Sequence, residues 1–221
     1  MTGAGLPWQH AWEPRSAFPP VFLARDARTV ARDLLGARLV STVGGALTSG
    51  VVVETEAYLG PVDPASHAAT RKGVTARNRA MFGPGGRAYV YRSYGVHWCL
   101  NVVTGRVGDG EAVLIRGLEP LEGLEVMTER RGGVRPLAAG PGRVAEALGV
   151  TAALYGHDLL QPPLRILPGW DVPDLLVTVT GRVGVAKAPE WPLRFLVTGS
   201  PGVSRGRVHP GDPSSLPTLP R

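Results

Sequence analysis

Two carboxylates and a phenol alternate along one short stretch, Val51-Val-Val-Glu-Thr-Glu-Ala-Tyr-Leu59. Side chains of an extended strand point to opposite faces in turn. On that reading Val51, Val53, Thr55 and Ala57 share a face suited to a core, and Glu54, Glu56 and Tyr58 share the other. A carboxylate held in an apolar strand beside another charge is fitted for general-base work. The same pattern also serves an edge strand kept soluble by its acids. Two acids could instead hold a hard cation, which needs further oxygen ligands. Asp63 and Asp109 are the candidates for those.

Further along, Tyr89, Tyr91 and Tyr94 fall within six residues, flanked by Arg87 and Arg92. Tyrosine favours strands in general, but aromatics among arginines also make a platform on which bases stack. Tyr94 precedes Gly95 at a turn, where an aromatic has no core to join and can act as a wedge between bases. Asn101 and Arg116 interrupt apolar strands. A buried amide needs a hydrogen-bond partner, and a buried guanidinium needs an acid or a phosphate. For Asn101, base discrimination and a structural hydrogen bond both fit; for Arg116, Glu56 or a phosphate would serve. Gly140-Pro141-Gly142-Arg143 opens a helix whose free N–H groups could receive a phosphate, and it lacks the Lys-Ser/Thr ending of a nucleotide P-loop. The five histidines show no pair at metal-binding spacing, so no His-based metal site is expected.

The elements that must position these groups follow from the same patterns. Asp26 to Gly36 predicts a capped helix, Arg38 to Val43 a strand, Gly44-Gly45 a turn and Leu47 to Leu59 a long strand. Residues 60–84 have no clear period, and a connection of that length is functional or disordered. Arg87 to Val103 predicts a β-hairpin turning at Tyr94-Gly95, with Tyr89 and Tyr91 on one face and His97, Cys99 and Asn101 on a face of its second strand. Glu111 to Leu118 predicts a strand that sets Leu114 beside Arg116. Helices are expected at 121–131 and 143–149, and late strands at 175–180 and 193–198. Hairpins and irregular loops with few helices predict an α+β fold, a single compact mixed domain with a curved antiparallel sheet. Residues 1–20 are expected as a loose arm, 21–204 as the domain and 205–221 as a disordered, Pro- and Gly-rich tail.

The 221 residues carry a net charge of +6, which points to a polyanionic partner. A single cysteine, Cys99, rules out an internal disulfide. No apolar run approaches the roughly 18 residues of a membrane helix and no signal pattern opens the chain, so a cytoplasmic protein without membrane contact is expected. Of 24 basic residues only Lys72 and Lys187 are lysines.

Taken in order, the motifs resemble the alkyladenine (3-methyladenine) DNA glycosylase family of base-excision repair. They are Glu54-Thr-Glu-Ala-Tyr-Leu-Gly-Pro61, His67, Arg77-Asn-Arg-Ala-Met-Phe82, Tyr89-Val-Tyr91, Tyr94-Gly95, Asn101 and Arg116-Gly-Leu-Glu-Pro-Leu-Glu-Gly123. Gly140-Pro141, Arg182-Val-Gly-Val185, Leu193-Arg-Phe195 and Gly199-Ser-Pro201 continue the match, which spans roughly Phe22 to Ser204. The resemblance implies a hairpin that enters DNA, with Tyr94 filling the gap left by a flipped nucleotide. It implies a base pocket of Tyr58, His67, Tyr91, Asn101 and Leu114, with Asn101 rejecting guanine. Glu56 would activate water and Arg116 support it, while Arg77, Arg79, Gly140, Pro141 and Arg143 contact DNA. His97 and Arg143 depart from the family pattern, where an aromatic and a lysine are usual.

The resemblance further implies an enzyme that needs no cofactor and acts as a monomer on duplex DNA with damaged purines. A bifunctional glycosylase needs an amine nucleophile. Neither Lys72 nor Lys187 lies in a strand beside Glu56, so a monofunctional hydrolase leaving an abasic site is expected. The alternatives are a non-catalytic DNA-binding module, which has no use for Glu56, and a metal-dependent nuclease.

Overall fold

Val51 to Ala57 is not an edge but the middle of the sheet. The computed structural model describes Phe18 and residues 21–70, 72–206 and 209–217 of the chain. In it β1 (Arg38–Ser41) turns through a short 3-10 segment into β2 (Thr48–Tyr58). The hairpin follows as β3 (Ala88–Ser93) and β4 (His97–Thr104), then β5 (Glu111–Glu122), β6 (Leu164–Leu167), β7 (Val177–Thr180) and β8 (Arg194–Val197). All pairings are antiparallel, in the order β3-β4-β5-β2-β1-β6, with β8 joining both β2 and β7. One side of β2 is therefore covered by β5, and the other is shared by β1 and β8. This dismisses the solubility reading of Glu54 and Glu56: both are fully buried. Register shifts between β2 and β5 at Val52/Glu54 and Glu54/Thr55 bend the pair where its charges lie.

Among the described residues three α-helices complete this α+β domain. In α1 (Ala27–Asp33) the Asp26 carboxylate accepts from the Thr29 N–H at 2.9 Å, the cap that the sequence predicts. The helix packs on β2 and β5 and leaves through Gly36, where a Cβ would meet the Trp170 carbonyl. α2 (Leu124–Arg130) and α3 (Pro141–Leu148) pack together, and α3 lies on β4 and β5. Among the described residues no helix is long and apolar enough to cross a membrane.

Several boundaries differ from expectation for physical reasons. The strand expected to end at Leu118 runs on to Glu122, because Pro120 and Glu122 still pair with Gly50 and Ser49. Gly123, at φ 70°, then starts α2 three residues later than periodicity suggests. The 175–180 strand opens with a 3-10 turn, and β6 was not foreseen. The 60–84 connection holds short 3-10 turns at Gly60–Val62 and Arg79–Phe82 joined by irregular chain, yet it is tied down. The buried Asn78 amide donates to the carbonyls of His67 (3.0 Å) and Gly73 (3.2 Å), and its oxygen accepts from the Thr75 N–H (2.6 Å). The arm at 1–20 lies outside the described residues apart from Phe18, whose ring stacks on Phe22 at 4.4 Å. In the stretch whose composition predicts a disordered tail, Gly181 donates to the carbonyl of His209, Asp212 donates to that of Glu190, and Leu216 packs against the core.

Candidate active site

One row across the sheet assembles residues far apart in sequence. Tyr89 on β3 is in register with Asn101 on β4, Asn101 with Leu114 on β5, and Leu114 with Glu56 on β2. Residues directly opposite in antiparallel strands project to the same face. Tyr91 opposite Cys99, and Tyr58 opposite Ala112, lie one step along in the same pattern. The face is roofed by the 60–84 loop and by residues 183–187, which leaves a cavity of about 630 Å³. Its walls include Tyr58, His67, Tyr91, Asn101, Leu114 and Arg116, with Tyr94 and Pro141 at its edge.

Behind that wall the two glutamates have different partners. Glu54 accepts from Arg194 Nε (2.7 Å), Arg116 Nε (3.1 Å), the Ser204 N–H (2.6 Å) and the Ser204 hydroxyl (2.8 Å). Glu56 accepts from the Val183 N–H at 2.6 Å on one oxygen, and from the Tyr58 hydroxyl (3.0 Å) and Arg116 Nη1 (3.4 Å) on the other. Glu56 is wholly buried, and all three of its donors line the cavity. Burial, and then the charge of Glu56, raises the Tyr58 phenol well above its ordinary value, so it stays protonated and donates. Burial alone would lower Arg116; the charges of Glu56 and Glu54 outweigh it and raise the guanidinium instead. Arg116 thus bridges the two acids, and its Nη2 donates to the Ser204 hydroxyl at 3.1 Å.

A second buried pair braces this arrangement. Arg182 grips Asp63 with both terminal nitrogens and donates to the Ala57 carbonyl at 3.1 Å. Its guanidinium lies 4.7 Å over the Tyr58 ring. Arg182 therefore fixes both the phenol that donates to Glu56 and the start of the loop whose Val183 N–H does the same. Asp63, a possible metal ligand on sequence grounds, is committed to Arg182 and to the N–H groups of Leu59 and Ala65. Glu54 is committed to its two arginines. Among the described residues no three His, Cys, Asp or Glu side chains are placed to share a metal ion.

The aromatic wall is built by contacts between rings. Tyr89 and Tyr91 stack at 5.5 Å, and His67 stands edge-on to Tyr91 at 4.5 Å. Burial raises the Tyr91 phenol, and raises the Cys99 thiol as well, so both keep their protons. Burial, and then Arg77, lowers the His67 imidazole. At the hairpin tip Tyr94 and Gly95 both take positive φ, 48° and 70°, the requirement of a type I′ turn. Tyr94 is 94% exposed. A bulky residue in that backbone region is strained, and such strain clusters at working sites. Beside Tyr94 runs an open trough bordered by His97, Arg131, Arg135, Gly140, Arg143 and Arg205. The start of α3 sits tight on the hairpin base: a Cβ on Gly142 would come within 2.9 Å of His97 Cβ.

A family model described as methylpurine-DNA glycosylase matches residues 21–201. The chain belongs to the methylpurine-DNA glycosylase family. It is 50% identical over 192 residues to a protein of Methanoculleus marisnigri named "Putative 3-methyladenine DNA glycosylase", a match covering 85% of this chain and 98% of that one. Relatives of the same name from Nitrosospira multiformis and Carboxydothermus hydrogenoformans are 48% and 45% identical, each over 85% of this chain, covering 93% and 98% of the relative. It is a DNA glycosylase, and DNA is its substrate.

In this glycosylase Arg116, Tyr58, His67, Tyr91, Asn101 and Leu114 line one cavity, and Glu56 lies behind it, bonded to Tyr58, Arg116 and Val183 of the lining. Asn101 uses its amide N–H to donate to the Tyr89 carbonyl at 3.0 Å, the structural bond that the sequence left open. Arg77 lies at the cavity, with its guanidinium 5.9 Å from the Tyr91 ring, whereas Arg79 lies outside it, on the far flank of the hairpin. Gly140 is bound to the sheet through its N–H to the Arg116 carbonyl (2.8 Å), and Arg143 caps back onto Ala139 (3.2 Å). Sequence reasoning gave no task to Arg182, Arg194, Ser204 or the Val183 N–H. Arg194 carried the same signal as Arg116, a charge inside an apolar strand. A backbone N–H leaves no such mark.

Proposed function

We propose that the cavity receives a damaged purine turned out of duplex DNA, and that a water activated by Glu56 hydrolyses its N-glycosidic bond. The observation that carries this is the convergence on Glu56 of three donors that line the cavity. Water reached through the Tyr58–Arg116–Val183 ring of donors gives its proton to Glu56 as its oxygen bonds to C1′. The C1′–N bond breaks, its electron pair leaves with the purine, and an abasic site remains. Extruding the base costs a few kcal/mol, least where it is damaged or mispaired. Stacking in the pocket and Tyr94 in the vacated gap offset that cost. Cationic alkylated purines such as 3-methyladenine or 7-methylguanine also gain cation–π attraction from Tyr58 and Tyr91 and depart as neutral bases.

The test is base release in chelator from duplexes carrying hypoxanthine or 7-methylguanine, comparing wild type with Glu56→Gln. Release by wild type and a loss of about 10²-fold or more in the variant is expected. Tight lesion binding without release would demote Glu56 to structure and favour a binding module. The reading includes hydrolysis without strand scission. Lys187, which spacing alone did not place at the site, lines the same cavity. Borohydride trapping of a Lys187 imine on lesion DNA would overturn that part.

A further inference from the structure

A neutral purine poses a problem that Glu56 does not solve. Leaving with the bonding pair, it departs as an anion unless a donor meets it, whereas a cationic alkylated purine departs neutral. His67 is the imidazole in the cavity wall, and its surroundings define its proton. Its Nδ1 lies 2.8 Å from the hydroxyl of Tyr89, a residue only 1% exposed. Its carbonyl is fixed by Asn78, and the Tyr91 and Tyr89 rings stand edge-on to it at 4.5 and 6.0 Å. Arg77 completes the group facing it from the loop side. Burial pushes the Tyr89 phenol up to about 12, with Arg77 the main opposing influence.

Two proton arrangements could join Nδ1 to the Tyr89 hydroxyl. Either the imidazole donates from Nδ1, or the phenol donates to it. A neutral imidazole carries one proton, a phenol carries one, and a guanidinium can only donate. Tyr89 is all but fully buried, and the hydrogen bond described for its hydroxyl is the one to His67, so the phenol proton, which needs an acceptor there, is turned toward Nδ1. The proton of the imidazole then belongs on Nε2, the other ring nitrogen of this cavity-lining residue.

We infer that Tyr89 is a positioning residue that holds His67 as the neutral Nε2–H tautomer, so that this N–H meets an acceptor on a neutral purine as its glycosidic bond breaks. The inference rests on the glycosylase reading above. The proton remains on the imidazole throughout: a hydrogen bond stabilises the departing anion, and no further acid is consumed. The benefit is selective, because a cationic purine develops no anion to stabilise.

Two measurements test it separately. Long-range ¹H–¹⁵N correlation spectra of the DNA-free protein should show the Nε2–H tautomer of His67, with Nδ1–H appearing in Tyr89→Phe; Nδ1–H in the wild type would overturn the assignment. In single-turnover assays Tyr89→Phe should slow hypoxanthine release roughly tenfold more than 7-methylguanine release, about the effect of one net hydrogen bond. Equal slowing of both lesions, in a variant that folds normally, would reduce Tyr89 to a structural part. If the wild type released neither base, the glycosylase reading and the role for the His67 N–H would fall together, while the tautomer assignment would still be decided by the spectra.

Discussion

Glu54 and Glu56 stand two residues apart, equally buried, and differ in what surrounds them. Two guanidiniums and both donors of Ser204 converge on Glu54, away from the cavity. Removing its charge takes the buried acid from Arg194 and leaves Arg116 to Glu56 alone, and breaking such a buried pair from one side costs about 3–5 kcal/mol. Glu54→Gln should therefore lose stability of that order in urea melts, well beyond the loss in Glu56→Gln, which leaves Glu54 to hold Arg116. Equal losses would show that the acids share one structural task. His67 supplies a pH dependence. Burial and Arg77 hold its folded pKa below the unfolded value, so the unfolded state binds the extra proton first. The resulting stability is fully present above the unfolded value of about 6.5 and is lost as pH falls toward the folded one. Arg77→Met should flatten this loss in thermal melts between neutral and mildly acidic pH. An unchanged slope would mean that the charge of Arg77 does not reach the imidazole.

At the scale of elements, the hairpin is where stability and function pull apart. Asn-Gly is the preferred pair for its turn type, and tyrosine with positive φ is costly there. Tyr94→Asn should raise stability by roughly 0.5–1 kcal/mol while weakening affinity for a lesion duplex at least tenfold. A variant that binds lesion DNA as tightly as wild type would exclude Tyr94 as a wedge. The hairpin and β2 were legible because a period of two over many residues leaves one solution, and because Gly95 marks the turn. β6 was not: Leu164-Arg-Ile-Leu167 offers only four residues, between Pro163 and Pro168. The 60–84 loop was illegible for another reason. Its shape depends on single side chains, Asn78 and Asp63, bonding to scattered backbone groups, and such bonds have no period. The site was legible wherever a polar residue broke an apolar strand, as Glu56, Asn101 and Arg116 do. It was illegible where the chemistry belonged to the backbone of Val183 or to partners brought by the fold, such as Ser204.

Over the whole molecule, the charge of +6 is less informative than its placement. One flank of the hairpin carries Arg77, Arg79 and Arg92, and the other carries Arg131, Arg135, Arg143 and Arg205 along the trough. The exposed Tyr94 lies between them, with the cavity opening beside it. A duplex centred on Tyr94 would meet cations on both sides of the displaced nucleotide, and each phosphate neutralised would release counterions. Arg131 is already paired with Glu146, so it should contribute less than the exposed Arg135 and Arg205. Each productive arginine steepens the fall of log K with log salt by about 0.9. Arg135→Ala and Arg205→Ala should each flatten that slope by about 1, Arg131→Ala by clearly less, and the double variant Arg135→Ala/Arg205→Ala by about 2. Binding titrations of one lesion duplex from low to moderate salt measure this directly. Slopes that stay at the wild-type value in all three single variants would move the DNA off the trough and leave the opposite flank to carry the phosphates alone.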